Sequence, residues 1–200
     1  MVGDGMKALH KDFWMEIRKS KARFISIFLI VALGVAFFSG IQASSPDMRY
    51  SGDAYYEAAK LMDLKIQGTL GLTQRDVKAV SDIDGVELAE GGYSTDVMSG
   101  EDDARKVLHL ESISSNFNLL TADEGRIPEK RGEIFLDKPF AKNRGYKIGD
   151  TISVSEDGDS ELLKKTTYTV VGIGSSPLYI SFNRGNTTLG SGEVSGFGYI

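Results

Sequence analysis

Hydrophobic and polar positions divide this chain into two unlike parts. From Phe24 to Pro46 no residue is charged, and Phe24–Ile41 reads FISIFLIVALGVAFFSGI, interrupted only by Ser and Gly. At 1.5 Å per residue a helix from Ala22 to Ala43 is roughly 30 Å long, the thickness of a hydrocarbon core. The run predicts a transmembrane helix over residues 22–43, with Phe24, Ile27, Leu29, Val31, Leu33, Phe37 and Ile41 among its apolar positions. Upstream, Phe13, Trp14, Ile17 and Ala22 alternate with Lys11, Arg18, Lys19 and Lys21 in a rough helical period. Residues 1–21 therefore read as a basic amphipathic segment along the inner interface, with Trp14 near headgroup level. Met1 to Gly5 adds nothing periodic, which leaves Met6 as an alternative start.

Beyond the apolar run, residues 44–200 carry the shorter periods of a folded domain. Ser44, Ser45 and Pro46 mark an exit, and Asp53–Met62 (DAYYEAAKLM) reads as a helix. Asp63–Leu70 alternates as a strand with Leu64, Ile66 and Thr69 or Leu70 inward. Thr73 followed by Asp76 is an N-terminal cap signature for a helix through Ser81, with Val77 and Val80 on its apolar face. Gly85 ends the next turn, and Val86–Met98 gives one or two strands broken at Gly91 and Gly92. Arg105–Ile113 places Val107, His109, Glu111 and Ile113 on one face and Leu108 and Leu110 on the other, only the second set being cleanly apolar.

Gly125–Pro128 predicts a fixed turn, because Pro128 locks its own φ and biases Ile127 toward an extended conformation. Glu133–Leu136 comes next as a short strand, and Pro139–Arg144 as a short helix stopped by Gly145. Gly149 and Asp150 lead into a strand over Thr151–Ser155, whose partner is expected in Thr166–Ile173, the strongest β-branched run of the chain. The Gly-rich stretch from Gly174 reads as a long loop entering another strand, with GFGYI unfinished at Ile200, as in a truncated piece. Strands outnumber helices without regular alternation, so the class is α+β with a mixed sheet.

Charge sharpens this division. The chain has 23 Lys+Arg against 28 Asp+Glu, but the excess is uneven. Lys7, Lys11, Arg18, Lys19, Lys21 and Arg23 precede the apolar run, and Asp12 and Glu16 oppose them. By the positive-inside rule the N-terminus is cytoplasmic and residues 44–200 are extracytoplasmic. The remainder is strongly acidic, which argues against nucleic acid as a partner. A cleaved secretory signal has a shorter apolar region of about 7 to 15 residues. Here bulky Ile41 also stands three positions before a cut after Ala43, so an uncleaved anchor fits better.

Candidate chemistry is sparse. Without cysteine, disulfides, thiolate zinc sites and thiol catalysis are excluded. His10 and His109 fall on opposite sides of the expected membrane, and His109 reads as a surface strand residue. The acidic groups Glu101, Asp102, Asp103 and Glu156, Asp157, Asp159, Glu161 lack calcium-loop spacing and read as solvated turns. Gly172, Gly174 and Pro177 only imitate a dinucleotide fingerprint, since no helix pattern follows and Pro177 replaces the third glycine. There is no phosphate-binding loop. No catalytic, cofactor-binding or metal-ligating residue is identified, and the expectation is a non-enzymatic protein without a cofactor.

The order of the elements carries more than any single motif. A basic entry WMEIRKSKARF, one early span, Asp82-Ile-Asp-Gly85-Val86, Gly125-Arg126-x-Pro128, Gly132-Glu133-Ile134, Gly149-Asp150-x-Ile152 and Tyr168-Thr-Val-Val-Gly172-Ile173 succeed one another. This series resembles the bacterial FtsX-like and MacB-like ABC-transporter permeases, in their first transmembrane helix and extracytoplasmic core domain. The resemblance implies a bacterial plasma-membrane permease subunit that couples ATP hydrolysis by a cognate ABC ATP-binding subunit to substrate export or mechanotransmission. Lys11, Trp14, Arg18, Lys19 and Lys21 would then face that ATPase, with the lipid bilayer and a second permease copy as further partners. The family expects three further membrane helices toward its C-terminus, and this sequence has none. Two other readings stay open: a single-pass anchored extracytoplasmic binding or signalling module, and a secreted enzyme with a cleaved signal.

Overall fold

The computed structural model describes residues 3–100, 105–156, 163–181 and 183–200, with side chains from His10 onward. Two compact units divide the chain, residues 1–54 and residues 55–200.

In the first unit, α1 (Gly3–Lys19) leads through Ser20 into α2 (Lys21–Ala58). The Ser20 N–H donates to the Glu16 carbonyl at 3.1 Å, and its own carbonyl accepts from Phe24 N–H at 3.0 Å. Helical hydrogen bonding thus carries through the junction. A separate helix over Asp53–Met62 does not form; α2 passes through Pro46 and ends at Ala58. Pro46 lacks an N–H and crowds the carbonyl of Gln42, but that loss is local and residues on both sides keep their own bonds.

In the second unit, the end of α2 is a Schellman motif. Lys60 takes φ 48°, its N–H donates to Glu57 O at 3.1 Å, and Leu61 N–H donates to Tyr56 O at 3.0 Å. The left-handed turn is what stops the helix before Met62. The expected strand over Asp63–Leu70 is also absent. Leu64, Ile66 and Leu70 are exposed rather than inward, because no neighbouring strand pairs with this stretch. Helix α3 (Gln74–Ser81) forms as its cap predicts: the Asp76 carboxylate accepts from both the N–H and the hydroxyl of Thr73 at 2.7 Å. Val77 and Val80 are its half-buried residues.

Seven strands complete the unit: β1 (Ser94–Ser99), β2 (Lys106–Glu111), β3 (Thr121–Gly125), β4 (Glu133–Asp137), β5 (Thr151–Ser155), β6 (Thr167–Ser175) and β7 (Val194–Tyr199). Of the strand expected over Val86–Met98, only the part after Gly92 forms. Their order is β3-β6-β4-β7-β2-β1-β5, mixed in direction, with β2–β7 and β4–β6 parallel. Strand β6, 9 residues long, offers one edge to two partners. Thr167–Thr169 pairs with β5 and Gly172–Ser175 with β3, both antiparallel, and the β5 pairing closes the sheet on itself.

Closure creates two apolar layers. Inside lie Val97, Leu108, Leu110, Ile134, Leu136, Ile152, Val154, Tyr168 and Val170, capped by Phe140 and Ala141 of α4 (Lys138–Arg144). Gly145 ends α4 at φ 76°, as its place in the sequence implies. Outside, Phe135, Phe197 and Tyr199 form a second cluster with Ile113, Leu120, Ile127 and Tyr179 packed against it. Strands β2, β4 and β7 are therefore covered on both faces, which explains why β2 and β4 read only weakly as alternating.

Candidate functional site

The residues singled out by the sequence lie on α1 and α2. Lys11, Trp14 and Arg18 stand at i, i+3 and i+7, one stripe of α1. Trp14 is 64 % exposed, and Lys11, Arg18, Lys19 and Lys21 are exposed as well. On α2, Phe24, Ile27, Leu29, Val31, Leu33, Phe37 and Ile41 are all exposed, and none of the helix's most apolar window is buried within the protein. Such a surface is unfavourable in water and matches hydrocarbon in length and composition.

The outer face of the sheet holds a charged cluster that sequence reasoning missed. His109 on β2 is not a solvated surface residue, since alternation turns it toward the outer apolar layer, and only about a fifth of its side chain is exposed. Its Nδ1 lies 2.5 Å from Asp96 Oδ1 on β1, directly opposite in the strand register, and its Nε2 lies 3.4 Å from Glu111 Oε1. Lys65 Nζ reaches the same Glu111 oxygen at 3.1 Å from the segment after α2. Tyr179 stands edge-on to the imidazole, with ring centroids 6.3 Å apart.

These partners set the electrostatics. Burial opposes a charge on Glu111, but His109, Lys65 and Tyr199 together bring its pKa down to about 2. Burial likewise opposes an imidazolium, yet Glu111 and Asp96 outweigh it and raise the pKa of His109. Burial, followed by the Glu111 charge, pushes the Tyr199 and Tyr179 hydroxyls up. Tyr199 meets Ser176 Oγ at 2.7 Å. The cluster thus sets the carboxyl groups of Asp96 and Glu111 against the His109 imidazole and the Lys65 amine. Its chemistry is that of a fastening between β1, β2, β7 and two connecting segments.

A second polar tie lies beside it. Arg184 binds Asp137 through Nε–Oδ2 at 3.0 Å and Nη2–Oδ1 at 3.1 Å, and its Nη1 donates to the carbonyls of Tyr179 and Ser181. The guanidinium also sits 5.5 Å from the centre of the Phe197 ring. One side chain therefore fixes the long connection between β6 and β7 against the outer layer.

The turn motifs prove to be ties of the same kind. Arg126 pairs with Glu133 through two contacts, Nη1–Oε2 at 2.8 Å and Nη2–Oε1 at 2.5 Å. Glu133 also accepts the backbone N–H groups of Glu129 and Lys130, and with Arg126 as the main cause its pKa falls to about 2. Asp150 accepts Lys147 N–H at 2.8 Å. Gly172 and Gly174 leave room for an aromatic ring, since a Cβ there would meet Phe135 at 2.6 and 2.9 Å. Glu101, Asp102, Asp103, Asp157, Asp159 and Glu161 lie outside the described residues, while Glu156 accepts Leu163 N–H at 3.0 Å. Among the described residues no group of His, Asp and Glu is arranged to hold a metal ion.

Comparison with known proteins adds three findings. The sequence pattern of the family described as MacB-like periplasmic core domain matches residues 24–194. No curated protein matches the chain. Among solved structures, the extracellular domain of the noncanonic ABC-type transporter YknZ from Gram-positive bacteria is similar, with a TM-score of 0.42 and 12 % identity. The match covers 66 % of this chain and 63 % of that one, so the chain spans less than two thirds of that structure.

Proposed function

The chain belongs to the MacB-like periplasmic core domain family, and from that premise we propose that it is a component of an ABC-transporter permease. In this reading α2 crosses the bacterial plasma membrane through residues 22–43, residues 1–21 lie in the cytoplasm, and residues 44–200 form the extracytoplasmic domain. A cognate ATP-binding subunit docks near Lys11, Trp14, Arg18, Lys19 and Lys21. ATP-driven movement passes along α2 to the outer domain, which acts on a substrate or a protein partner without catalysing a reaction itself.

The observation that carries this reading is the family match over residues 24–194, which takes in the apolar helix as well as the folded domain. One physical feature supports it. The basic flank lies on one side of the apolar window and the acidic excess on the other, as the positive-inside rule requires for this orientation.

Site-specific photo-crosslinking tests the docking surface. A photoreactive residue at position 14 or 18 should capture an ATPase bearing a phosphate-binding loop, while one at position 50 should not. Capture of no ATPase from either α1 position would contradict the assignment and leave the single-pass anchored module as the better reading.

A further inference from the structure

Glu111 receives two cations from different parts of the chain. His109 Nε2, on the same strand, is 3.4 Å from Oε1, and Lys65 Nζ, on the segment between α2 and α3, is 3.1 Å from that same oxygen. Residues 63–72 of this segment pair with no strand, and Leu64, Ile66, Leu70 and Leu72 are exposed. Among the described residues, backbone bonds tie the segment to the rest of the domain only at its start, where Asn118 N–H and Leu119 N–H donate to the carbonyls of Lys60 and Ala59 at 2.9 and 2.8 Å. Met62 N–H donates to the Asn118 side chain at 3.1 Å. Lys65 is the side-chain tie that fixes the rest of the segment to β2.

We propose that residues 63–72 form a proton-sensitive strap, in which the proton on His109 and the ammonium of Lys65 compete for Glu111, so that acidification loosens the strap and alkalinisation tightens it. Two like charges on one acceptor oxygen repel, and each weakens the hold of the other. The coupling is reciprocal: whatever protonation does to the strap, the docked strap does to the proton affinity of His109. The geometry also keeps the switch local. Asp96 on β1 holds Nδ1 at 2.5 Å, so a neutral imidazole keeps its place by donating from Nδ1 while Nε2 presents only a lone pair to Glu111. Glu111 then has Lys65 as its one full cation in the cluster. The remaining groups that face the pair are fixed in charge near neutral pH. They are the hydroxyls of Tyr199 on β7 and of Tyr179 on the β6–β7 connection, both held protonated, and Arg184, which is committed to Asp137. His109 is therefore the titrating member.

This inference does not depend on the transporter assignment, and its test uses the full chain in lipid nanodiscs. The chain has two histidines, so the His109 imidazole is assigned by comparison with a His10→Gln variant and titrated by NMR. In Lys65→Met the midpoint should rise by about one pH unit, a tenfold gain in proton affinity, whereas Lys65→Arg should keep the wild-type value. An unchanged or lowered midpoint in Lys65→Met overturns the proposal. Backbone 15N relaxation gives a second measurement. The order parameters of residues 63–72 in the wild-type chain should increase across roughly pH 5 to 9. Order parameters that are flat or fall with pH, or that keep the same dependence in His109→Gln, overturn it as well.

Discussion

Arg184 and Asp137 form a two-point ion pair, 3.0 and 3.1 Å long, in which the side chains keep only 9 % and 2 % of their exposure. The pair joins the end of β4 to a loop 47 residues later in the chain. Burial already raises the pKa of Asp137 against the pull of Arg184, and without that cation the carboxyl must either take up a proton or stay charged out of water. Arg184→Met should therefore cost about 3 kcal/mol or more, because Asp137 stays buried without a cation. Chemical denaturation checks this, and the double variant Arg184→Met with Asp137→Leu should recover a large part of the loss.

The glycines of β6 make a separate prediction. A Cβ at Gly172 would lie 2.1 Å from the Arg126 carbonyl and 2.6 Å from Phe135 Cδ2; at Gly174 it would lie 2.0 Å from the Thr121 carbonyl and 2.9 Å from Phe135 Cζ. Backbone atoms cannot withdraw as a side chain can. Gly174→Ala should destabilise the domain by about 2 kcal/mol or more, measured as a fall in Tm. Adding Phe135→Ala should not restore it, since the carbonyl conflict with β3 remains.

Within the charged cluster, stability should depend on pH through two groups acting in opposite directions. The pKa of His109 is raised from 6.5 in the folded protein, so its contribution is complete below 6.5 and is lost as pH rises through the raised value. The pKa of Glu111 is lowered from 4.5 to about 2, so its contribution is complete above 4.5 and is lost as pH falls toward 2. Urea midpoints should be highest between these limits. In His109→Gln the alkaline decline near and above neutrality should disappear, and the acid decline should remain.

How far the fold could be read from sequence depended on whether a signal was local. The Thr73–Asp76 cap, the stop at Gly145 and the β5–β6 pairing are set by neighbouring residues or by a strong β-branched run, and all three form as expected. Leu64, Ile66 and Leu70 alternate convincingly, yet a strand also needs a partner edge, which alternation cannot supply. Strand β3 shows no pattern for the opposite reason: TADEG is fully exposed and polar, and is held by its ladder to β6 and by the Asp123–Lys138 ion pair. The charged cluster is not legible in the sequence because His109 meets Asp96 across a strand pair and meets Lys65 through Glu111, contacts that exist only once the chain has folded. Only the pattern Val107, His109, Glu111 on one face hinted at it, and that pattern reads equally well as solvated.

Membrane orientation can be tested cleanly because the chain contains no cysteine. Single substitutions Ser20→Cys and Ser51→Cys lie on either side of the apolar window. In intact cells a membrane-impermeant maleimide should label Ser51→Cys and leave Ser20→Cys untouched until the membrane is opened. The reverse pattern would place the acidic domain in the cytoplasm.

The permease assignment is tested most directly by affinity purification of the protein from membranes through an N-terminal tag, with quantitative mass spectrometry of the proteins that accompany it. An ATPase carrying a phosphate-binding loop should co-purify in stoichiometric amount, and be lost when Lys11, Arg18, Lys19 and Lys21 are changed together to Glu. Purification at full yield with no such ATPase would contradict the account and reduce the family likeness to a shared fold.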